Sequence, residues 1–327
     1  MKKVLVNKPI HEVALERLRE EVEVLTPFKA PREALLELLP EVHAVVLCAG
    51  LKLGGAEMDL ATNLEVIGRH GAGVDIVDIG AATERGIPVT FTPHGPTEST
   101  AEHAFMLMLA TARRLSLLDS STRSGNFHIR DRVVGQELAG KAVGIVGFGR
   151  IGRRMAEMCR DALQMTVYAY DPYVDAEETE CWGAVCVEDL VTMAGEVDVL
   201  SIHAPSNAET RRLVSREVIE ALKPNAILVN VSRGPVVDEA ALVDALEQER
   251  IWGAGLDVYD PEPPSPDNPL FRQERVTLTP HLASFTDEGR QRMGLMAAED
   301  VLSVLRGEAP RYLFNTEVWS RRRTPQT

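Results

Sequence analysis

No apolar run in the 327-residue chain approaches the roughly 20 residues needed to cross a bilayer. The apolar stretch after Met1-Lys2-Lys3 is cut off at Asn7 and Pro9, too early for a signal-peptide core. The start therefore reads as a first strand, and the chain as cytoplasmic with no membrane partner. Cysteine is scarce, and Cys48, Cys159, Cys181 and Cys186 lack the spacing of zinc ligands. They read as free, buried thiols, and no metal is expected. Basic residues are also in deficit, with 35 Lys and Arg against 49 Asp and Glu and a net charge of −14. That balance argues against nucleic acid as a partner, and Arg321-Arg322-Arg323 is too small a run to reverse it. It leaves room for an anionic small molecule held by a local group of cations. The length exceeds that of one ordinary core, so two domains are expected.

The first hundred residues alternate short apolar runs with helix-length segments. Val4-Leu5-Val6, His43 to Cys48 and Leu64 to Gly68 read as strands, and Val13 to Leu18 has helical spacing. This is the pattern of βαβ units and a parallel sheet. Ser99 and Glu102 fit a capping box opening an apolar helix to about Leu118. A second block of strands follows at Ala142–Val146, Thr166–Tyr170, Val197–His203, Ala226–Val231, Ile251–Val258 and Val276–Thr279. Several are apolar throughout, as strands covered on both faces should be, and the block predicts a doubly wound sheet. Ser284 to Asp287 can cap a last helix ending near Gly307, with a polar tail beyond.

The strand at Ala142–Val146 leads into Gly147-Phe148-Gly149-Arg150-Ile151-Gly152 and then a helix. A strand, this glycine spacing and a helix make a dinucleotide loop. The first glycine permits the tight turn, the second admits the pyrophosphate, and the third lets helix and strand pack closely. The helix N-terminus faces the phosphates. Asp171 follows 19 residues after Gly152, at the end of the next strand, where a carboxylate binds ribose hydroxyls and repels a 2′-phosphate. No Arg or Lys follows closely, so the expected cofactor is NAD rather than NADP.

Arg233, Glu262 and His281 stand at or beyond strand ends, the side of an open α/β sheet that faces ligand. Hydride transfer at a carbon beside a carboxylate needs these types. Arg holds a carboxylate bidentately. His, with an unperturbed pKa of about 6.5, can exchange a proton with the reacting oxygen. A neighbouring carboxylate, here Glu262 among Pro261, Pro263 and Pro264, orients the ring and favours its protonated form.

Taken together these stretches resemble the D-isomer-specific 2-hydroxyacid dehydrogenase family. The resemblance covers Val66–Asp75, Ala101-Glu102-His103, Gly144–Gly152, Asn230–Asp238, Leu256–Val258 with Glu262-Pro263, and Thr279-Pro280-His281. It is closest to the phosphoglycerate and hydroxypyruvate branch. The resemblance implies a Rossmann-type doubly wound parallel sheet inserted into a second, flavodoxin-like α/β substrate domain, with the active site in the cleft. The expected division is 1–100 and 286–318 for the substrate domain, 101–285 for the NAD domain, and 319–327 for the tail. It implies that Arg233 binds the substrate carboxylate, that His281 is the acid/base and that Glu262 is its partner. Ala204, Val231 and Ser232 would line the cofactor cleft, and Asp257 would meet its nicotinamide side. The backbone of Ala49-Gly50 and Ala72-Gly73 would help hold the carboxylate. Arg69, with Lys52, is similar to residues that bind a distal anionic group, or else Arg69 forms a structural salt bridge. Cys48-Ala49-Gly50 departs from the branch, whose phosphoglycerate members tend to carry an Arg-Ser pair there. The family is usually dimeric, with the helix after Ser99 in the contact.

The expected activity is transfer of a hydride between NAD(H) and C2 of a small D-2-hydroxy acid or 2-keto acid. The alternatives are an NAD-sensing regulator on the same fold and a phosphite or other small-anion dehydrogenase.

Overall fold

The computed structural model describes residues 1–323. The chain forms two compact units, Met1–Thr97 with the return from Phe285, and Glu98–Ser284.

The first unit holds β1 (Lys3–Val6), β2 (Glu23–Leu25), β3 (Ala44–Leu47), β4 (Val66–Arg69) and β5 (Val89–Thr90). All pair in parallel in the order β2-β1-β3-β4-β5, the flavodoxin-type order. Strand side chains alternate between faces. Val4, Val6, Ala44 and Val46 pack against Leu15 and Leu18 of the Glu12–Arg19 helix and Val301 and Leu302 of the Asp287–Leu305 helix. Leu5, Val45, Leu47 and Ile67 face the other way, onto Leu35, Leu39, Met58 and Ala82. The Asp287–Leu305 helix starts as its sequence suggests, with Gly289 N donating to Thr286 Oγ1 at 2.9 Å. Gly307, at φ 85°, follows its end.

The segment expected as a loose tail from 319 is ordered through Arg323. Thr316–Arg321 forms a 3-10 helix with Val318 fully buried, and Trp319 packs on the sheet's core. Arg323 N donates to Gly86 O at 2.7 Å. The run of arginines masked two apolar anchors. The last four positions of that expected tail, 324–327, lie outside the described residues.

The second unit holds β6 (Ala142–Val146), β7 (Thr166–Tyr170), β8 (Val185–Cys186), β9 (Val199–Ile202), β10 (Ile227–Asn230), β11 (Gly253–Leu256) and β12 (Val276–Leu278). These form one parallel sheet in the order β12-β11-β10-β9-β6-β7-β8. One face packs on Leu190, Met193, Val218 and Leu242, and the other on Ala104, Leu107, Met155 and Cys159. The sheet is doubly wound, and the buried alternation on both faces explains the near-continuous apolar strands.

The apolar helix differs from expectation at both ends. It spans Thr97–Ala112, so Ser99 is buried inside it and forms no capping box. Arg114, at φ 56°, breaks it, with its guanidinium 4.2 Å from the Trp252 ring centroid. A second helix then runs Leu115–Arg123. Apolar periodicity alone does not reveal a break that a cation–π contact holds in place. Among the described residues no helix is long and apolar enough to cross a membrane.

Gly68 in β4 is a packing requirement. A Cβ there would lie 2.4 Å from Val301 Cγ2. Gly68→Ala should overpack this face and lower stability by roughly 1–3 kcal/mol, read as a lower urea midpoint with an unchanged slope.

Candidate active site

The glycine loop between β6 and the Arg150–Leu163 helix has the geometry a dinucleotide needs. Gly147 adopts φ 89°, and a Cβ there would lie 2.6 Å from Ala204 N. A Cβ on Gly152 would lie 2.2 Å from Gly147 O, so only glycine lets helix and strand approach this closely. Gly149 faces open space, with no atom within 4 Å of an added Cβ. That opening, at a helix N-terminus, is a cradle shaped for a phosphate group. Asp171 stands beside it: Oδ2 accepts Phe148 N at 2.8 Å and Oδ1 accepts Tyr173 N at 2.9 Å. Each carboxylate oxygen retains a lone pair for a ribose hydroxyl. The residues present therefore fit NAD. Arg150 is exposed and Ile151 half-buried at the start of the helix, and Ala204 follows β9 and is buried.

The turn after β10 carries Val231, Ser232 and Arg233. Buried Asn230 organises it, with Oδ1 accepting Ser232 N at 3.0 Å and Ser232 Oγ at 2.9 Å, and Nδ2 donating to Arg233 O at 3.0 Å. Arg233 Nη1 donates to Ser232 O at 2.7 Å. Gly234 brings this turn onto the loop after β11, because a Cβ there would lie 1.9 Å from Tyr259 O. On that loop Glu262 Oε1 accepts Tyr259 N at 3.0 Å, while Oε2 lies 2.6 Å from His281 Nδ1. With Nδ1–H donated to Glu262, Nε2 is the atom left for chemistry. Three residues far apart in sequence are thus held on adjoining strand-end loops of one unit.

His281 itself sits at φ 52°, a left-handed conformation uncommon outside glycine. Asp257 holds it there. The Asp257 carbonyl accepts His281 N at 2.8 Å. Its carboxylate accepts Leu282 N at 3.0 Å, Ala283 N at 2.9 Å and Thr279 Oγ1 at 2.6 Å. Burial alone would raise this carboxyl, but the nearby His103 ring, the Thr279 hydroxyl and the two backbone N–H groups hold it below the usual range. Asp257 was expected to meet the nicotinamide side of a cofactor. It is fully buried beneath the loop that carries His281, with Oδ1 accepting Thr279 Oγ1 and Leu282 N and Oδ2 accepting Ala283 N.

Each remaining expected residue lies in the first unit. Ala49 and Gly50 are exposed after β3, with Gly50 at φ 88°, and Ala72 and Gly73 are half-buried beyond β4. Asn7 pins the first of these loops, accepting Cys48 N at 2.7 Å and donating to Ala49 O at 3.3 Å. Arg69 donates to Gly73 O at 2.8 Å, to Leu47 O at 3.1 Å and to His70 O. Those donors brace the second loop against the first. Lys52 is exposed. Burial pushes the Cys48 thiol up to about 11, so it is no thiolate near neutrality.

Residues 105–283 match the model of the D-isomer specific 2-hydroxyacid dehydrogenase NAD-binding domain. The chain belongs to this family. A D-3-phosphoglycerate dehydrogenase of Archaeoglobus fulgidus is 43% identical over 93% of this chain and 58% of its own length. A Thermococcus litoralis glyoxylate reductase is 38% identical over 97% of both chains. Among solved structures, an NADPH-dependent glyoxylate/hydroxypyruvate reductase of Sinorhizobium meliloti, in complex with NADP and malonate, is 32% identical with a TM-score of 0.86. It covers 99% of this chain and of its own. The chain spans 58–60% of the first two phosphoglycerate dehydrogenases it matches.

In this family member the positioning residues His103 and Thr279 escaped a reading by chemistry. Thr279 gives its single hydroxyl proton to Asp257, so at 2.9 Å it must accept from His103 Nε2, which fixes that nitrogen as protonated. Tyr259 OH donates to Thr279 O at 2.9 Å, and burial pushes that phenol up to about 12. The available signals were a histidine in an otherwise apolar helix and a threonine two residues before His281. Thr279→Val should leave Asp257 and His103 without their shared partner. Stability should fall by roughly 1–3 kcal/mol in urea unfolding, and turnover should fall while NAD still binds.

Proposed function

We propose that the chain is an NAD-dependent dehydrogenase that interconverts small D-2-hydroxy acids and 2-keto acids. The observation that carries this reading is the 2.6 Å contact from His281 Nδ1 to Glu262 Oε2, made on loops adjoining the Arg233 turn. The bound nicotinamide supplies or accepts the hydride at C2. In reduction His281 gives the proton on Nε2 to the C2 oxygen, converting carbonyl to alcohol, and Glu262 supports the ring. In oxidation the same nitrogen takes the hydroxyl proton back. We assign carboxylate binding to Arg233, and to the backbone N–H groups of Ala49, Gly50, Ala72 and Gly73 a part in substrate binding by the first unit. We assign cofactor binding to Gly147 through Gly152, Asp171, Ala204, Val231 and Ser232. A carboxylate at 171 favours NAD over NADP. Relatives named as phosphoglycerate dehydrogenases and glyoxylate reductases support the substrate class. The four unpaired cysteines suit the reducing cytoplasm.

His281→Ala should lower kcat for any reduced keto acid by about 10²–10⁴, with NADH affinity retained. The panel is hydroxypyruvate, glyoxylate, pyruvate and 3-phosphohydroxypyruvate. Near wild-type turnover in the variant would sink the acid/base assignment. NADH binding without turnover of any acid would sink the dehydrogenase reading.

We also propose a homodimer through the apolar face of the Thr97–Ala112 and Leu115–Arg123 helices. Phe105, Met106, Leu109, Leu115 and Leu118 line a groove there, and Met106 and Leu115 are 40% and 54% exposed. A surface this apolar is seldom left to water. Met106→Glu should shift the species in sedimentation velocity from dimer to monomer; an unchanged monomer in the wild type would refute the contact.

A further inference from the structure

The run Arg321-Arg322-Arg323 is too small to mark a nucleic-acid partner, yet two of its side chains have a common place in the first unit. Arg322 and Arg323 line a cavity of about 200 Å³ together with Lys2, Glu65 and Arg306. That is room for several waters or one small molecule, since a water takes about 30 Å³. Lys2 precedes β1 and Glu65 precedes β4, so the cavity lies at the amino ends of the strands. The loops of Ala49 and Ala72 follow β3 and β4, at the opposite edge of the same sheet.

Glu65 is the feature that packing leaves unexplained. Its side chain is 6% exposed, and Oε2 accepts Lys2 Nζ at 2.7 Å. Oε1 is also withdrawn from water and has no hydrogen-bond partner among the described residues. A buried carboxylate oxygen without a donor is costly, and this one belongs to a residue on a cavity wall.

The cations on that wall have donors left. Lys2 gives a second proton to Leu305 O at 2.7 Å, at the end of the Asp287–Leu305 helix, and keeps its third. Arg322 lies on Trp319, its Cζ 4.0 Å from the ring centroid. Its Nη1 donates to Trp319 O at 3.1 Å and its Nη2 to Gly307 O at 3.2 Å, and each nitrogen carries a second N–H. Arg323 donates from Nη1 alone, to Ala61 O at 3.0 Å. Arg306 is neutralised by Glu21 and Glu308. Among the described residues no carboxylate forms a salt bridge with Arg322 or Arg323, and Asp59, which feels the Arg323 charge, is paired with Arg85. Capping of helix-end carbonyls accounts for the contacts of Lys2 and Arg322. It accounts neither for the spare donors of Arg323 nor for the orphaned Glu65 oxygen. A ligand that satisfies both must accept from guanidinium groups and also give a proton to a carboxylate.

We infer that this cavity binds a phosphate group that brings a hydroxyl proton with it, as hydrogen phosphate or a small hydroxylated phosphate ester. Arg322 and Arg323 hold the phosphoryl oxygens, and Glu65 accepts the proton and so selects against ions that have none. The inference is independent of the keto-acid reading, because all its residues belong to the first unit and none is assigned to the substrate.

The test is calorimetry of inorganic phosphate, glycerol 3-phosphate and sulfate on the NAD-saturated full chain. Sulfate has the shape of phosphate but no proton to give at neutral pH. Phosphate or its ester should bind more tightly than sulfate by about tenfold or more. Tighter binding of the ester assigns the site to an organic phosphate, and equal or weaker binding assigns it to the free ion. Glu65→Gln, whose amide can donate to sulfate, should bring that preference to within about threefold. Arg323→Gln, which gives up one contact to Ala61, should weaken every ion by about tenfold and keeps the test open should Glu65→Gln fail to fold. Arg233→Gln should leave all three affinities unchanged. Sulfate binding as tight as phosphate in wild type, affinities indifferent to Arg323, or binding lost with Arg233 overturns the inference, as does the absence of any phosphate binding.

Discussion

Asp257 is a charged side chain wholly withdrawn from water, and such a group persists only when its oxygens are filled with donors. Here the donors are Thr279 and two consecutive backbone N–H groups, those of Leu282 and Ala283. The requirement works in both directions. The carboxylate needs the 279–283 loop to wrap around it, and the loop takes a left-handed residue at His281 to do so. That turn carries the imidazole to Glu262, whose second oxygen is held by Tyr259 N. The acid/base pair is therefore set by a buried charge beneath it, and His103 and Tyr259 support the same loop from below.

A parallel sheet supplies the rest of the arrangement. Each strand delivers its carboxyl end to one edge, and the loops there are free to differ because the core does not depend on them. In the second unit the glycine loop follows β6, Asp171 follows β7, Ala204 follows β9, Arg233 follows β10 and His281 follows β12. Glycine appears where two of these loops must touch. Gly147 admits the backbone of Ala204, and Gly234 admits the carbonyl of Tyr259. Backbone packing at two glycines thus places groups that come from five strand ends.

How much of this could be read from sequence varied with the physics involved. The strands at Ala142–Val146 and Thr166–Tyr170 have the predicted bounds, the first because a strand buried on both faces needs a continuous apolar run, the second because its buried side chains alternate with partly exposed ones. The pairs at β2, β5 and β8 are two or three residues long and carry no period to detect. Arg233, Glu262 and His281 stood out because their chemistry is distinctive. Asp257 was visible too, but its hold on the 279–283 loop was not. The break at Arg114 and the anchoring of Trp319 depend on tertiary contacts made by residues that are polar, or flanked by arginines, in sequence.

Charge shows most clearly why local placement outweighs composition. A net charge of −14 sets a field that disfavours an anionic substrate at long range. Salt screens that field beyond about 8 Å at physiological ionic strength, so what an anion meets on arrival is the nearest few side chains. A cation already bound to carbonyls or carboxylates contributes little there, since its donors are spent. Most arginines of the first unit are in that state: Arg17 and Arg306 hold Glu21, Arg85 holds Asp59, and Arg69 braces its own loops.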